Sequence, residues 1–372
     1  MTSPVKPGST PVLDAGRFQG ELDGRPVALY TLRNSRGMVV CITNYGAKIE
    51  QILVPDRHGE LADVVLGYDS LQDTVGGSPS MGAFIGRYAG RIANASFEID
   101  GQRYVLGVNN GPHCLHGGIK GSRLRVFDAV QRSASSVEMK LVFADGEEGF
   151  PGSLALSVTY SVTESNELVI AYEGVALDKP TVANFTTHGF FNLDGHASGN
   201  VLGHEVMICA GTHLGMTPDL IATGQLLDVA DTPFDFRQPT PLAARIYGET
   251  VTGDATGGLG DRVTGYDCCY VVDGAPANGS LALCARISAP RSGRVMEVWS
   301  TEPALQFYTG LVAGEPLAGG PGKEGATYLQ QQSFCVEPQG YPNAPNLPQF
   351  PTSRYLPGTA RSGQTVYRFS TR

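Results

Sequence analysis

Apolar and polar residues alternate one by one over long runs of this 372-residue chain, and helical spacing is nearly absent. Val137, Met139, Leu141 and Phe143 alternate with Glu138 and Lys140; Leu154, Leu156, Val158, Tyr160 and Val162 alternate with Ala155, Ser157, Thr159 and Ser161. A period of two sends successive side chains to opposite faces of a strand, so these runs read as half-buried β-strands. A turn at Glu164-Ser165-Asn166, followed by Leu168, Ile170 and Tyr172, predicts a β-hairpin over 153–174. Further strands are predicted near 27–33, 37–43, 46–54, 95–106, 124–131, 280–289, 294–300, 304–309, 332–337 and 364–370. Only Ser70–Val75 and Pro241–Tyr247 read as short helices. The 48 glycines and 24 prolines suit many tight turns. Strands at this spacing predict an all-β fold, a large antiparallel β-sandwich. Neither a linker nor a repeat divides the chain, so 12–372 is predicted to be one domain behind a flexible segment 1–11. Asn343–Gly358 is proline-rich but carries Phe350 and Tyr355, and reads as a surface loop packed on the body.

Net charge excludes some partners. Lys and Arg number 27 against 36 Asp and Glu, a balance of −9, with no basic block, which argues against nucleic acid and anionic membranes. No run approaches the roughly 20 apolar residues needed to span a bilayer. The opening residues have no apolar core of a signal peptide, so the expected location is cytoplasmic. Seven cysteines without framework spacing, two of them adjacent at Cys268-Cys269, are expected to be reduced thiols.

Two segments about 150 residues apart stand out as candidates for chemistry. One is Thr186-Thr187-His188-Gly189-Phe190-Phe191-Asn192; the other is Phe334-Cys335-Val336-Glu337-Pro338-Gln339. An imidazole and a carboxylate brought together by folding supply one proton donor and one acceptor, which is general acid–base chemistry. Taken singly, each has an ordinary alternative: His188 as a buried histidine satisfied by backbone, Glu337 as a strand-edge residue. His116, in Cys114-Leu115-His116-Gly117-Gly118, reads equally as a ligand contact or a turn. Arg91, Asp267 and Gln306 are similarly ambiguous. Zinc is poorly served, because His113, Cys114 and His116 have no paired ligands in the other half of the chain. Gly253–Gly260 and Gly82–Arg91 lack the strand-loop-helix setting of a phosphate cradle, and there is no Gly-x-Ser-x-Gly elbow.

In order, the short motifs resemble the aldose 1-epimerase (galactose mutarotase) family. They are Asn44-Tyr45-Gly46-Ala47, Val64-Val65-Leu66-Gly67-Tyr68, Gly86-Arg87-Tyr88-Ala89-Gly90-Arg91-Ile92 and Leu115-His116-Gly117-Gly118. Asp145–Gly152, Thr187–Leu193, Gly265-Tyr266-Asp267, Gln306–Gly310 and Glu337-Pro338-Gln339 complete the series. The resemblance implies a β-supersandwich and interconversion of the α and β anomers of a free hexose, without cofactor or metal. It implies that His188 is the general acid and Glu337 the general base. It also implies that Arg91, His116, Asp267 and Gln306 hold the sugar, in a monomer or homodimer. The chain departs from the family pattern at Gly90, Thr187, Gly189, Cys268 and Leu311, around the pair rather than in it. Two further readings keep the fold: an epimerase of a phosphorylated or atypical sugar, which requires extra cations such as Arg123 or Arg125 at the pocket, and a non-catalytic sugar-binding module.

Overall fold

The computed structural model describes residues 10–246, 264–274, 279–311, 315–317 and 319–372. Three antiparallel sheets dominate. The largest has nine strands, in the order Asp128–Ser133, Ser136–Phe143, Leu154–Val162, Glu167–Ala176, Ala360–Thr371, Arg294–Ser300, Ala282–Ser288, Glu205–Ile208 and Thr240–Pro241. A five-stranded sheet runs Ala222–Asp228, Thr212–Met216, Tyr266–Val271, Ala304–Gly310, Cys335–Gln339. A four-stranded sheet runs Leu29–Arg33, Val39–Thr43, Lys48–Pro55, Leu61–Asp63. The fold is all-β.

The alternation predicted for 154–162 is observed, with each apolar residue buried and each intervening one only partly so. Its partner extends to Glu167–Ala176, completing the expected hairpin. One core joins the sheets: Val40 and Ile42, Val158 and Tyr160, and Phe307 and Val336 belong to a single buried cluster. Tyrosine hydroxyls tie the layers by donating to backbone carbonyls, Tyr160 to Ala47 at 2.8 Å and Tyr367 to Val336 at 3.1 Å. These bonds satisfy polar groups that would otherwise be costly to bury.

Several local expectations shift. The first predicted helix is Leu71–Gly76, capped by the Ser70 hydroxyl, which accepts from the Asp73 amide. The second reduces to a 3-10 turn at Leu242–Ala244; its Tyr247 end, like Gly253–Gly260, lies outside the described residues. The strand expected over 124–131 begins only at Asp128, because Ser122–Leu124 makes a 3-10 turn. Asn343–Gly358 is less of a loop than expected: Arg354–Tyr355 pairs with Thr181–Val182, and Phe350 and Tyr355 are buried.

One core residue breaks the rule that buried charges are paired. Lys48 is fully buried, and its ammonium has no hydrogen-bond partner among the described residues. Its favourable neighbours are the Tyr45 ring, 5.0 Å away, and the charge of buried Glu50. Burial pushes its pKa down to about 8. Below that value folded and unfolded chains both carry the charge, and the burial cost is present in full. Above it the folded lysine deprotonates first, so stability rises with pH until the unfolded lysine titrates as well. Lys48→Met is therefore expected to stabilise the protein at pH 7 by about 1–3 kcal/mol, the scale of this pKa depression. Chemical denaturation checks this, and a destabilised variant would contradict it.

Candidate active site

Strand register builds the floor of the site. Antiparallel neighbours share a face, and so do residues two apart along a strand. Cys269 stands opposite Gln306, and Gln306 opposite Glu337; Asp267 stands opposite Tyr308, and Tyr308 opposite Cys335. One face of the five-stranded sheet thus collects Asp267, Gln306, Tyr308, Glu337 and Gln339, all of which line a cavity of ≈250 Å³. The intervening Tyr270, Leu305, Phe307 and Val336 turn the other way, into the core.

Loops supply the walls. Thr186–Thr187 pairs with Phe84–Ile85, and the His188 main chain is then clamped: its amide donates to Ala83 O at 2.9 Å, and its carbonyl accepts from Gly82 N at 2.8 Å. Phe191 bridges Phe334 on the floor side. These contacts bring His188 Nε2 to 3.6 Å from Glu337 Oε1. The ring stacks on Phe190 with centroids 5.0 Å apart, and the His116 ring meets it edge-on at 5.4 Å. A two-residue ribbon aligns Leu115 with Arg91 and so delivers His116 and Arg91 to the same wall.

The structure therefore gathers all six candidates, Arg91, His116, His188, Asp267, Gln306 and Glu337, around one cavity. Their hydrogen bonds set which atoms are free. His116 Nδ1 accepts from the Gly90 amide at 3.3 Å, which places the proton of the neutral ring on Nε2. Burial, with the His188, Arg123 and Arg91 charges behind it, keeps that ring neutral, well below the usual histidine range. Gln306 Nε2 donates to Asp267 Oδ1 at 2.5 Å, and Arg91 lies 3.9 Å from Asp267 Oδ2 while its Nε donates to Asn110. Burial raises the Asp267 pKa, against the opposing pull of Arg91 and Gln306.

Burial weighs against charge on both members of the central pair. Burial pushes the His188 pKa down to about 4 and the Glu337 pKa well above the carboxylate range, with Asp267 adding to the latter. Both shifts favour a pair that shares one proton, with desolvation placing it on the carboxyl group. The count of transferable protons is the same as in the ion pair.

The departures from the family pattern have visible causes. Gly90 has φ +77°, and a Cβ there would lie 2.8 Å from Pro342 Cβ, so Pro342 closes the wall that a side chain at 90 would form. Thr187 is buried in its short pairing with Phe84, and Cys268 faces the core. Gly189 has Phe191 where a Cβ would go, and the Leu311 amide donates to Gln330 at 2.7 Å. Arg123 and Arg125 are engaged elsewhere: Arg123 donates to the His116 and Gly118 carbonyls, and Arg125 pairs with Glu147. His113 Nδ1 accepts from the Asn94 amide at 3.0 Å. The candidates overlooked Tyr308, Gln339 and Phe190; stepping two residues on from Gln306 and Glu337 would have found the first two.

An all-β frame that sets an imidazole against a carboxyl group in a polar cavity has the layout of an acid–base enzyme. Comparison narrows this class. The aldose 1-epimerase family model matches residues 28–368. Galactose mutarotase from Bos taurus is 38% identical over 335 residues, covering 89% of this chain and 91% of the bovine protein. Aldose 1-epimerase from Escherichia coli (strain K12) is 33% identical over 349 residues, covering 93% and 96%. The crystal structure of a GalM/aldose epimerase homologue from C. elegans superposes with TM-score 0.82 at 27% identity, over 93% of this chain and 99% of that one. The chain belongs to the aldose 1-epimerase family and is an isomerase with the galactose mutarotase-like fold.

Proposed function

We propose that the protein interconverts the α and β anomers of free hexoses such as glucose and galactose, with Glu337 as general base and His188 as general acid. The observation that carries this reading is the 3.6 Å approach of His188 Nε2 to Glu337 at the cavity floor. Opening a hemiacetal removes the proton of the C1 hydroxyl while the ring oxygen receives one and the C1–O5 bond breaks. A pyranose in this cavity places its anomeric hydroxyl at the carboxylate and O5 at the imidazolium. That charge state is the other tautomer of the one-proton pair, a single transfer away from the form with the proton on the carboxyl group. Rotation about C1–C2 presents the opposite carbonyl face, and reversed transfers close the ring. His116 Nε2–H donates to the sugar, Asp267 accepts from it, and Arg91 and Gln306 fix Asp267 and contact hydroxyls. The reading treats 12–372 as one domain, since the main buried cluster runs from Leu32 to Phe369.

Polarimetry on freshly dissolved α-glucose and α-galactose tests the activity, and pH tests the pair. The one-proton state lasts from about pH 4, where the imidazole gains a second proton, up to the raised carboxyl pKa. Activity is expected to show its acid limb near pH 4 and an alkaline limb displaced upward with the carboxyl group; these limits belong to the pair jointly. Ordinary values would give a window from about 4.3 to 6.5 and a decline by pH 7. An alkaline limb unmoved by Glu337→Gln would overturn the assignment, and no acceleration at any pH would overturn the function.

A further inference from the structure

Behind the acid–base pair lies a third group that the proposed reaction does not use. Cys335 and Glu337 are two residues apart on one strand and project from the same face. A His188 ring nitrogen, Cys335 Sγ and a Glu337 carboxylate oxygen all lie within 4.8 Å of one another, and all three residues are buried. We infer that His188, Cys335 and Glu337 form a latent site for a borderline-soft divalent cation such as Zn²⁺, whose binding shuts off the pair.

Three physical points support this. The donor set of one nitrogen, one sulfur and one carboxylate oxygen is what zinc takes in tetrahedral sites with an open fourth position. Bonds of about 2.0–2.3 Å at tetrahedral angles require ligand atoms roughly 3.3–3.7 Å apart. His188 Nε2 and Glu337 Oε1 already meet that spacing at 3.6 Å, and a group whose atoms all lie within 4.8 Å of one another has about 1 Å at most to close. Finally, His188 Nδ1 is buried and makes no hydrogen bond of good geometry among the described residues. With its proton on Nδ1 the ring presents a lone pair at Nε2. The cation enters through the cavity to the imidazole and carboxyl and then engages sulfur from below. The thiol proton, and any proton on the carboxyl, leave to solvent. The fourth position faces the cavity and takes water. A cation so held occupies both lone pairs through which the proton exchange runs.

The inference rests on the proposed function only for its inhibitory consequence, because binding is measured independently. Full-length protein is titrated with ZnCl₂ by calorimetry and with CoCl₂ by absorption, where a thiolate-to-cobalt charge-transfer band reports Cys335 directly. One equivalent is expected to bind, and mutarotation of glucose to fall in step with occupancy and return with EDTA. Cys335→Ala is expected to weaken zinc at least about 100-fold, beyond the 10–100-fold of outer-shell changes, with basal mutarotation unchanged. Should that variant not fold, Glu337→Gln serves the calorimetric arm and is expected to lose the same affinity. No zinc binding, binding undiminished by either substitution, or cobalt bound without the sulfur band would each overturn the inference. Sulfur-dependent binding in a protein that shows no mutarotation would sustain the site and defeat the proposed function.

Discussion

Glu337→Gln and His188→Asn are each expected to cut turnover by about 10²–10⁴-fold, the share of one general acid or base. Glu337→Gln is isosteric, His188→Asn keeps a polar planar group in a smaller side chain, and the His188 backbone clamp to Gly82 and Ala83 is independent of the ring. Folding is therefore expected to survive, and circular dichroism verifies that before the rates are compared. Because the two groups work on one proton inventory, the double variant should lose little more than the worse single one. Polarimetric rates on α-glucose decide the matter. Near-wild-type turnover in either single variant would remove that residue from the reaction, and strictly additive losses would argue that the two act separately.

The second large effect concerns stability. Lys323→Ala is expected to destabilise the protein by about 3–5 kcal/mol, the range for breaking a buried pair and leaving one charge uncompensated. All three protons of the Lys323 ammonium are used, on Asp63 Oδ2 at 2.6 Å, Glu50 O at 2.6 Å and Val65 O at 2.7 Å. Both side chains are almost completely shielded from solvent. Removing the lysine strands the Asp63 carboxylate, whose other oxygen is held by the Ile52 and Val65 amides. A companion change, Asp63→Asn with Lys323→Met, keeps an acceptor for those amides and removes both charges, so it should recover part of the loss. Urea unfolding measures both, and a loss below about 1 kcal/mol for Lys323→Ala would mean the site rehydrates or relaxes.

What the sequence made legible follows one physical signal. Side-chain alternation located the hairpin expected over 153–174 because most buried positions there, Leu154 to Tyr172, are large and apolar and most of their neighbours small or polar. The strands Thr212–Met216 and Ala222–Asp228 went unread. Their alternation is broken by His213, Gly215 and Gly224, and the second is an edge strand with little burial to impose a pattern. At the site, the six candidates were found through ordered motifs, since no single one is distinctive. Their protonation was not legible, because it depends on Phe190 stacking over His188 and on the depth of Glu337, both products of tertiary packing. Nor was the reason for Gly90, whose missing side chain is answered by Pro342 some 250 residues downstream. The role inferred for Cys335 was equally hidden, as a cysteine in a strand reads as core filler until the imidazole arrives beside it.

The division of labour between sheet and loops in the cavity has an evolutionary consequence. The groups assigned to floor positions 267, 306 and 337 are locked by ladders of paired strands, whereas Gly90, Leu220 and Pro342 reach the rim from connecting segments that tolerate insertion and exchange. Lineages can remodel that rim, and with it the diet of sugars admitted, while the reaction itself stays untouched. Selection for a new nutrient would then leave its record in those connectors, and the paired strands beneath would change last.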